Sequence, residues 1–258
     1  MELDLDGVEL LEQIKRASPV FAVASLFAAS IGIPALARTD ANFPFASLGF
    51  LALAFIARGS VFACGVLCSA SAGYLIPYFV GWPAAPLAVI ACATIWPPAR
   101  RWAYALPEPS RRRVWWIAVI TGLGSAVVLW AVWLEPYLQR MWFRLMLFPD
   151  VITNTPLFLA VSATAFAAAN SVFEEVLWRG AAMSALESSG VAPLLALPIV
   201  SISFGIAHLH GVPSGPVGVI LTTAFGLAVG ALRAWSNSLV PAMVAHFVPD
   251  IVLVGALA

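Results

Sequence analysis

The sequence is dominated by long apolar runs, separated by short stretches of arginine, proline and glycine. A run of about 20 apolar residues spans the core of a bilayer as a helix, and a helix satisfies its own backbone hydrogen bonds there. The runs lie at about residues 19–37, 43–57, 61–80, 84–96, 114–134, 154–178, 191–209, 216–232 and 239–257. The second and fourth are short. We therefore predict an all-α fold, a polytopic transmembrane helical bundle with about eight or nine spans.

The composition excludes several classes of protein. Hydrophobic residues make up 62% of the chain and charged residues only 10%, whereas soluble domains have roughly 45–50% and about 25%. A soluble enzyme and a disordered chain are excluded on this ground. The net charge is zero, which argues against a nucleic-acid binder because such proteins carry a basic excess. The expected surroundings are membrane lipid.

Charge placement predicts an orientation. Five arginines fall within residues 97–113, and Lys15 and Arg16 lie near the N-terminus. The positive-inside rule places both segments on the cytoplasmic side, so we predict a multi-pass protein of the cytoplasmic membrane with its N-terminus inside. The acidic, amphipathic residues 1–14 lack the basic start of a signal peptide.

The distribution of charged residues divides the chain into two regions. Residues 1–150 are predicted to hold N-terminal transmembrane helices and, at 135–150, a helix lying in the membrane interface. Residues 151–258 carry most of the ionisable groups that fall on apolar helices, and we predict that they form the catalytic helical bundle. The pair Gly226 and Gly230 is predicted to allow close helix packing inside this bundle.

Two carboxylates and an arginine interrupt the sixth apolar run. An ionisable side chain in a membrane helix costs roughly 2.5–3.5 kcal/mol on insertion scales, so each needs a partner or a function. Glu175 and Arg179 are four residues apart with the acid first, and they are predicted to pair. Glu174 points about 100° away and keeps no local cation. It is therefore the candidate general base. The structural alternative is that both glutamates cap a helix end at the lipid headgroups.

A histidine ends the seventh run. His208 follows Phe204 by one helical turn on the same face. A histidine in this position is either a core residue with satisfied hydrogen bonds or part of a functional site. His210 would lie about 200° around the helix from His208. We therefore predict that His210 is interfacial and does not share a site with His208.

The last run holds a second histidine and a third carboxylate. His246 and Asp250 are four residues apart and share a helix face. Asn237 and Ser238 precede this run as candidate N-cap residues. The pair is either a His–Asp hydrogen bond inside the bundle or part of a polar site.

The three clusters together favour one shared site. Glu174, His208 and His246 are a possible zinc-binding set that leaves a position for water. An equally possible arrangement is metal-free: Glu174 and His208 activate water, and His246 with Asp250 polarises the scissile carbonyl. Both arrangements predict hydrolysis of an amide bond.

This ordered pattern resembles the CPBP family, the CAAX-protease and bacteriocin-processing intramembrane proteases that are also called Rce1-like or ABI. The motifs are Glu174-Glu175-x-x-x-Arg179, Phe204-x-x-x-His208 and His246-x-x-x-Asp250. The resemblance covers roughly residues 154–258. It implies that Glu174 is the principal catalytic acid–base and that Glu175 with Arg179 supports or orients the site. Asp250 stands where many members have asparagine, which leaves its role open between metal ligand and oxyanion stabiliser.

The resulting prediction is an intramembrane endopeptidase that cleaves a membrane-associated peptide or protein near its C-terminus. The resemblance permits a prenylated CAAX tail, a bacteriocin leader or a C-terminal sorting tag as substrate, and zinc-dependent or glutamate-type chemistry. Two other classes stay open. One is a non-catalytic membrane scaffold or immunity protein on the same fold. The other is a transporter, because intramembrane charges also mark ion pathways.

Overall fold

The computed structural model describes residues 5–36, 45–57, 60–75, 84–108, 112–132 and 156–257. All regular structure in these ranges is helical, which confirms the predicted all-α class. The first half contains α1 (Leu5–Leu36), α2 (Phe45–Ile56), α3 (Val61–Leu75), α4 (Ala84–Ile95), α5 (Pro97–Ala103) and α6 (Arg113–Val132). The second half contains α7 (Pro156–Glu174), a π-helix (Glu175–Ala182), α8 (Met183–Ser188), α9 (Pro193–Ala207), α10 (Gly215–Ser236) and α11 (Val240–Leu257).

Two of the described helices, α6 and α10, are long and apolar enough to cross a membrane by length and composition. Shorter apolar helices occupy most of the other predicted runs. The number of spans therefore stays a prediction. The interfacial helix predicted at residues 135–150 lies outside the described residues.

Two helices extend beyond the predicted runs. Helix α1 begins at Leu5, so the amphipathic N-terminal segment continues into the first apolar run. The run predicted at 154–178 continues through the π-helix and α8 to Ser188. No proline lies between Pro156 and Gly190, so nothing removes a backbone donor along this segment. The chain turns at Gly190, where φ is +97°, a conformation that glycine adopts readily.

Both halves contribute to one hydrophobic cluster. Phe50 and Leu67 from the first half pack in it with Leu177, Leu186 and Phe204 from the second. The π-helix contacts α3, α9 contacts α1 and α10, and α11 lies against α6 and α7. The apolar helices of the first half therefore support the helices that carry the polar motifs.

Close contact between α9 and α10 depends on glycine. A Cβ atom at Gly226 would lie 3.2 Å from Ser201 Cα and 3.0 Å from Arg179 Nη2, and one at Gly230 would meet the side chain of Leu197. These contacts are inside the molecule. The predicted packing role of the glycine pair is therefore confirmed.

The turn between α10 and α11 is fixed by Ser238. Its hydroxyl accepts a hydrogen bond from the Val240 N–H at 3.2 Å and donates to the Ala105 carbonyl at 2.5 Å. Ser238 thus satisfies a backbone donor at the start of α11, as predicted. Asn237 instead follows the end of α10 with a φ of 52°, in the left-handed region.

Candidate active site

A cavity of about 590 Å³ lies between α6 and the helices of the second half, with Ile33 of α1 and Tyr74 of α3 also in its wall. Its lining includes four of the ionisable residues singled out from the sequence, which are Glu174, His208, His246 and Asp250. Glu174 ends α7, His208 follows the end of α9, and the other two lie one turn apart on α11. The structure therefore brings three separate helical segments to one opening.

Glu174 lies between the two histidines of this group. Its Oε2 atom lies 3.4 Å from His246 Nε2, and its Oε1 atom lies 3.9 Å from His208 Nε2. Oε2 is buried and makes no hydrogen bond within the part of the chain that the structure describes. The two imidazoles face the carboxylate from different helices.

Glu175, the next residue, differs in the partners of its other oxygen, although its Oε2 atom is also buried without a hydrogen-bond partner among the described residues. Its side chain is completely buried, and its Oε1 atom accepts hydrogen bonds from Arg179 Nη1 at 2.9 Å and from His246 Nδ1 at 2.7 Å. The predicted pairing of Glu175 with Arg179 is confirmed. The contact with His246, 71 residues further along the chain, was not predicted. Arg179, Glu175 and His246 form a connected series of buried polar groups.

These two environments lie on either side of a change in helix type. Glu174 is the last residue of α7, and Glu175 is the first residue of the π-helix. Short π-helical turns inside α-helices occur frequently at functional sites. Here the π-helical turn contains both members of the buried ion pair.

Phe204 supports the charged groups with its ring. The Arg179 guanidinium carbon lies 4.2 Å from the centre of this ring, a cation–π contact that favours a buried cation. The same ring meets His208 edge-on at a centroid distance of 4.5 Å. Arg179 Nε and Nη2 are buried without a hydrogen-bond partner among the described residues, so the ring is an important part of the surroundings of this cation.

The hydrogen bonds of the two histidines fix which nitrogens face Glu174. His208 Nδ1 lies 2.9 Å from the Phe204 carbonyl. A carbonyl accepts and does not donate, so Nδ1 carries a hydrogen and Nε2 points to Glu174. In the same way His246 Nδ1 donates to the Glu175 carboxylate. An imidazole held through its other nitrogen has a defined orientation, as in metal sites and catalytic triads.

Asp250 is held by a residue that the sequence analysis missed. Its Oδ2 atom accepts a hydrogen bond from Asn170 Nδ2 at 3.1 Å, and its Oδ1 atom lies 3.7 Å from His246 Nε2. Asn170 precedes Glu174 by one turn of α7 and also lines the cavity. The signal in the sequence was an amide side chain on an apolar helix, four residues before a carboxylate.

The helical geometry behind the prediction for His210 was wrong, and its interfacial location stays a prediction. Helix α9 ends at Ala207, and residues 208–210 form a turn. The angle between His208 and His210 expected for a continuous helix therefore does not apply. Both residues line the same cavity.

The candidate zinc set fits zinc by donor type, since one carboxylate and two imidazoles are common ligands of this metal. The positions of these side chains, however, do not form a metal site. Within the described ranges, no group of three or more His, Cys, Asp or Glu side chains is placed to hold a metal ion. The site geometry therefore supplies the donor types for zinc without a preformed metal cluster.

Comparison with family models agrees with the motif pattern. Residues 156–252 match the Rce1-like family, described as type II CAAX prenyl endopeptidase Rce1-like. Over this segment the chain is similar to that family. The match begins with α7 and covers all three motifs, so the predicted family resemblance is confirmed. No match was found among curated proteins or among solved structures.

The similarity of this segment to the Rce1-like family has two general implications. The family is membrane-embedded, in agreement with the apolar helices of this chain. The family also implies protease activity of the CAAX type, on a peptide or protein substrate at a membrane.

Proposed function

We propose that this Rce1-like protein is an intramembrane endopeptidase that hydrolyses an amide bond near the C-terminus of a membrane-associated peptide or protein. The observation that carries the proposal is the meeting of Glu174, His208, His246 and Asp250 around one cavity. The cavity volume of about 590 Å³ falls within the usual range for a ligand site, roughly 300–1,000 Å³.

Water activation is assigned to Glu174 with His208. The 3.9 Å between Glu174 Oε1 and His208 Nε2 is too long for a direct hydrogen bond, and a bridging water can join such groups. His208 donates through Nδ1 to the Phe204 carbonyl, so its Nε2 atom has a lone pair for one water hydrogen. Glu174 accepts the other hydrogen as general base.

The reaction that follows is a balanced hydrolysis. The water oxygen bonds to the scissile carbonyl carbon while Glu174 takes the water proton. The resulting tetrahedral intermediate carries negative charge on the former carbonyl oxygen. The carbon–nitrogen bond then breaks, Glu174 returns the proton to the leaving amine, and the products are a carboxylic acid and an amine.

His246 and Asp250 are assigned to the polarisation of the carbonyl. His246 Nε2 faces oxygens of both Glu174 and Asp250, which are hydrogen-bond acceptors when ionised, so a hydrogen on Nε2 has favourable partners. A donor held in this orientation by Glu175 stabilises the oxyanion as it develops. Asp250 supports that donor through its negative charge. In this arrangement Glu175 and Arg179 orient His246 and do not contact the substrate.

Zinc is the alternative to this route. It would be held by Glu174, His208 and His246, and when bound it would supply Lewis-acid polarisation of the water. Elemental analysis of the purified protein, together with cleavage assays before and after chelator treatment, separates the two routes. Zinc at one equivalent and chelator-sensitive cleavage support the metal route, and full cleavage by zinc-free protein supports the metal-free route.

The experiment that tests the proposal is Glu174→Gln in protein reconstituted into liposomes. Cleavage is measured with quenched fluorescent peptides: an S-farnesylated peptide with a CAAX tail, the same peptide without the lipid, and a bacteriocin leader peptide. Loss of a general base is expected to lower kcat by about 10²–10⁴-fold. The control is Glu187→Gln, which changes a partly exposed carboxylate that lies 3.7 Å from Arg233 on the same continuous helical segment.

The outcomes separate the three functional classes. The proposal requires product from wild-type protein and from Glu187→Gln, and almost none from Glu174→Gln. Full cleavage by Glu174→Gln contradicts the assignment. No product from wild type on any peptide supports the scaffold alternative, and ion flux into the liposomes without product supports the transporter alternative.

A further inference from the structure

Asn170 joins two helices of the candidate site. Its Nδ2 atom donates to Asp250 Oδ2 at 3.1 Å, across 80 residues of sequence. Glu174 lies one turn further along α7. Asn170 is half-buried and lines the cavity with both carboxylates. This position connects α7 with α11 at the level of the reacting groups.

An amide is suited to this position because of its hydrogen-bonding groups. Asparagine offers two N–H donors without a net charge, whereas an ionised aspartate only accepts. Glu174 and Asp250 both approach His246 Nε2, at 3.4 Å and 3.7 Å. Two like charges this close repel each other. A neutral donor bonded to Asp250 holds that carboxylate in place without adding a third charge beside Glu174.

The contacts of Asp250 give the amide a second purpose. One oxygen of Asp250 faces Asn170 and the other faces His246. Without the Asn170 donor, the carboxylate is free to rotate away from His246. The orientation of the proposed oxyanion donor would then depend on Glu175 alone.

We propose that Asn170 is a further positioning residue of this site, whose amide ties α7 to α11 and holds the Asp250 carboxylate in place beside His246. The inference rests on the proposed function. It assigns no contact with the substrate to Asn170, which acts through Asp250.

The test is a set of variants assayed with the liposome-reconstituted protein and the peptide that wild type cleaves. Asn170→Asp places a third carboxylate beside Glu174 and Asp250, and Asn170→Leu removes the donors at similar volume. Misplacing catalytic groups by about 1 Å can cost about 100-fold, and we expect a fall in kcat of about that size for both variants. The KM value and the thermal unfolding midpoint should stay near the wild-type values.

The reciprocal variant provides the decisive measurement. In Asn170→Asp combined with Asp250→Asn, the new amide at position 250 can donate to the new carboxylate at position 170. The bond between α7 and α11 is then restored with its direction reversed, and we expect recovery of about tenfold in kcat over Asn170→Asp alone. A merely structural role would appear in the unfolding midpoint rather than in kcat.

Thr164→Val is the matched control. Thr164 is an exposed residue of the same helix, and its hydroxyl donates to the Ala160 carbonyl one turn earlier. This variant should keep the wild-type kcat.

Two results would overturn the inference: wild-type kcat in both single variants, or no recovery in the reciprocal variant. Glu174→Gln is measured in parallel. If it cleaves normally, the proposed function fails; if it is inactive while Asn170→Asp is fully active, the inference on Asn170 fails by itself.

Discussion

The two halves of the molecule bury polar groups in different ways. In the described part of α1 to α6, the buried polar side chains are three serines, Ser30, Ser47 and Ser71. In the described part of α7 to α11, they include Glu175, Arg179, His246 and Asp250. Both halves are built from apolar helices that meet in one hydrophobic cluster.

The difference lies in how the polar groups are satisfied. Ser30 donates to the Leu26 carbonyl of its own helix, and Ser47 donates to the Ser71 carbonyl of the neighbouring one. A hydroxyl needs only one such acceptor. A buried charge costs far more to desolvate, so it must be matched by several partners. Such partners come from the π-helix, α9 and α11. The second half therefore buries charged side chains at a high desolvation cost, and the described part of the first half does not.

The largest expected effect is that of Glu175→Gln. This change leaves the Arg179 cation without its charged partner, and removing one member of a buried ion pair costs about 3–5 kcal/mol. It also weakens the hydrogen bond that orients His246. We expect a clearly lower unfolding midpoint in detergent and a large loss of cleavage.

The control for this prediction is again Glu187→Gln. Its partner Arg233 lies 3.7 Å away, and the Glu187 side chain is 28% exposed. A partly exposed pair at this distance contributes far less than a fully buried one, since exposed pairs contribute about 0–1 kcal/mol, so the midpoint and kcat should change little. Equal behaviour of the two variants would contradict the contrast between a buried functional pair and a partly exposed one.

An intermediate effect is expected from two glycine substitutions, one in each half. In Gly49→Ala the new methyl group would meet the backbone of Ala29, with 2.5 Å to its nitrogen. In Gly226→Ala it would meet Arg179 Nη2 at 3.0 Å and Ser201 Cα at 3.2 Å. Overpacking of this kind costs about 1–3 kcal/mol, so both variants should unfold at lower temperature.

Their activities should differ. Gly49 is not among the residues that line the cavity, so folded Gly49→Ala protein should keep its kcat. Gly226→Ala displaces the cation that holds Glu175 and should lower kcat as well. The measurement is kcat per folded molecule, with the folded fraction taken from size-exclusion chromatography. A lower kcat in Gly49→Ala would show that the first half takes part in catalysis.

The smallest expected effect is that of Ser47→Ala. The variant loses the hydrogen bond between α2 and α3, a contribution of about 0.6–1 kcal/mol. The unfolding midpoint should fall slightly, and kcat and KM should stay unchanged. A loss as large as that of Glu175→Gln would mean that the two halves do not differ in how polar groups stabilise them.

Local features of the second half were predictable because they depend on helical spacing. Glu175 and Arg179 pair because residues four apart lie on one face of a helix. Ser238 was recognised as a helix start from its hydroxyl and its place before an apolar run. The geometric argument failed for His210. The helix ends at Ala207, so helical spacing no longer determines where the His210 side chain lies relative to His208.

The sequence by itself determined that the chain is a bundle of apolar helices, and it determined the three motifs, because composition and short-range spacing are sufficient for both. Helical spacing also distinguished Glu175, which pairs with Arg179, from Glu174. Only the tertiary structure decided that Glu174 lines one cavity with His208, His246 and Asp250. It also decided that Asn170 meets Asp250 and that Glu175 meets His246, across 80 and 71 residues. The physical reason is that the packing of several helices sets these contacts, and no periodicity along one helix encodes how another is turned toward it.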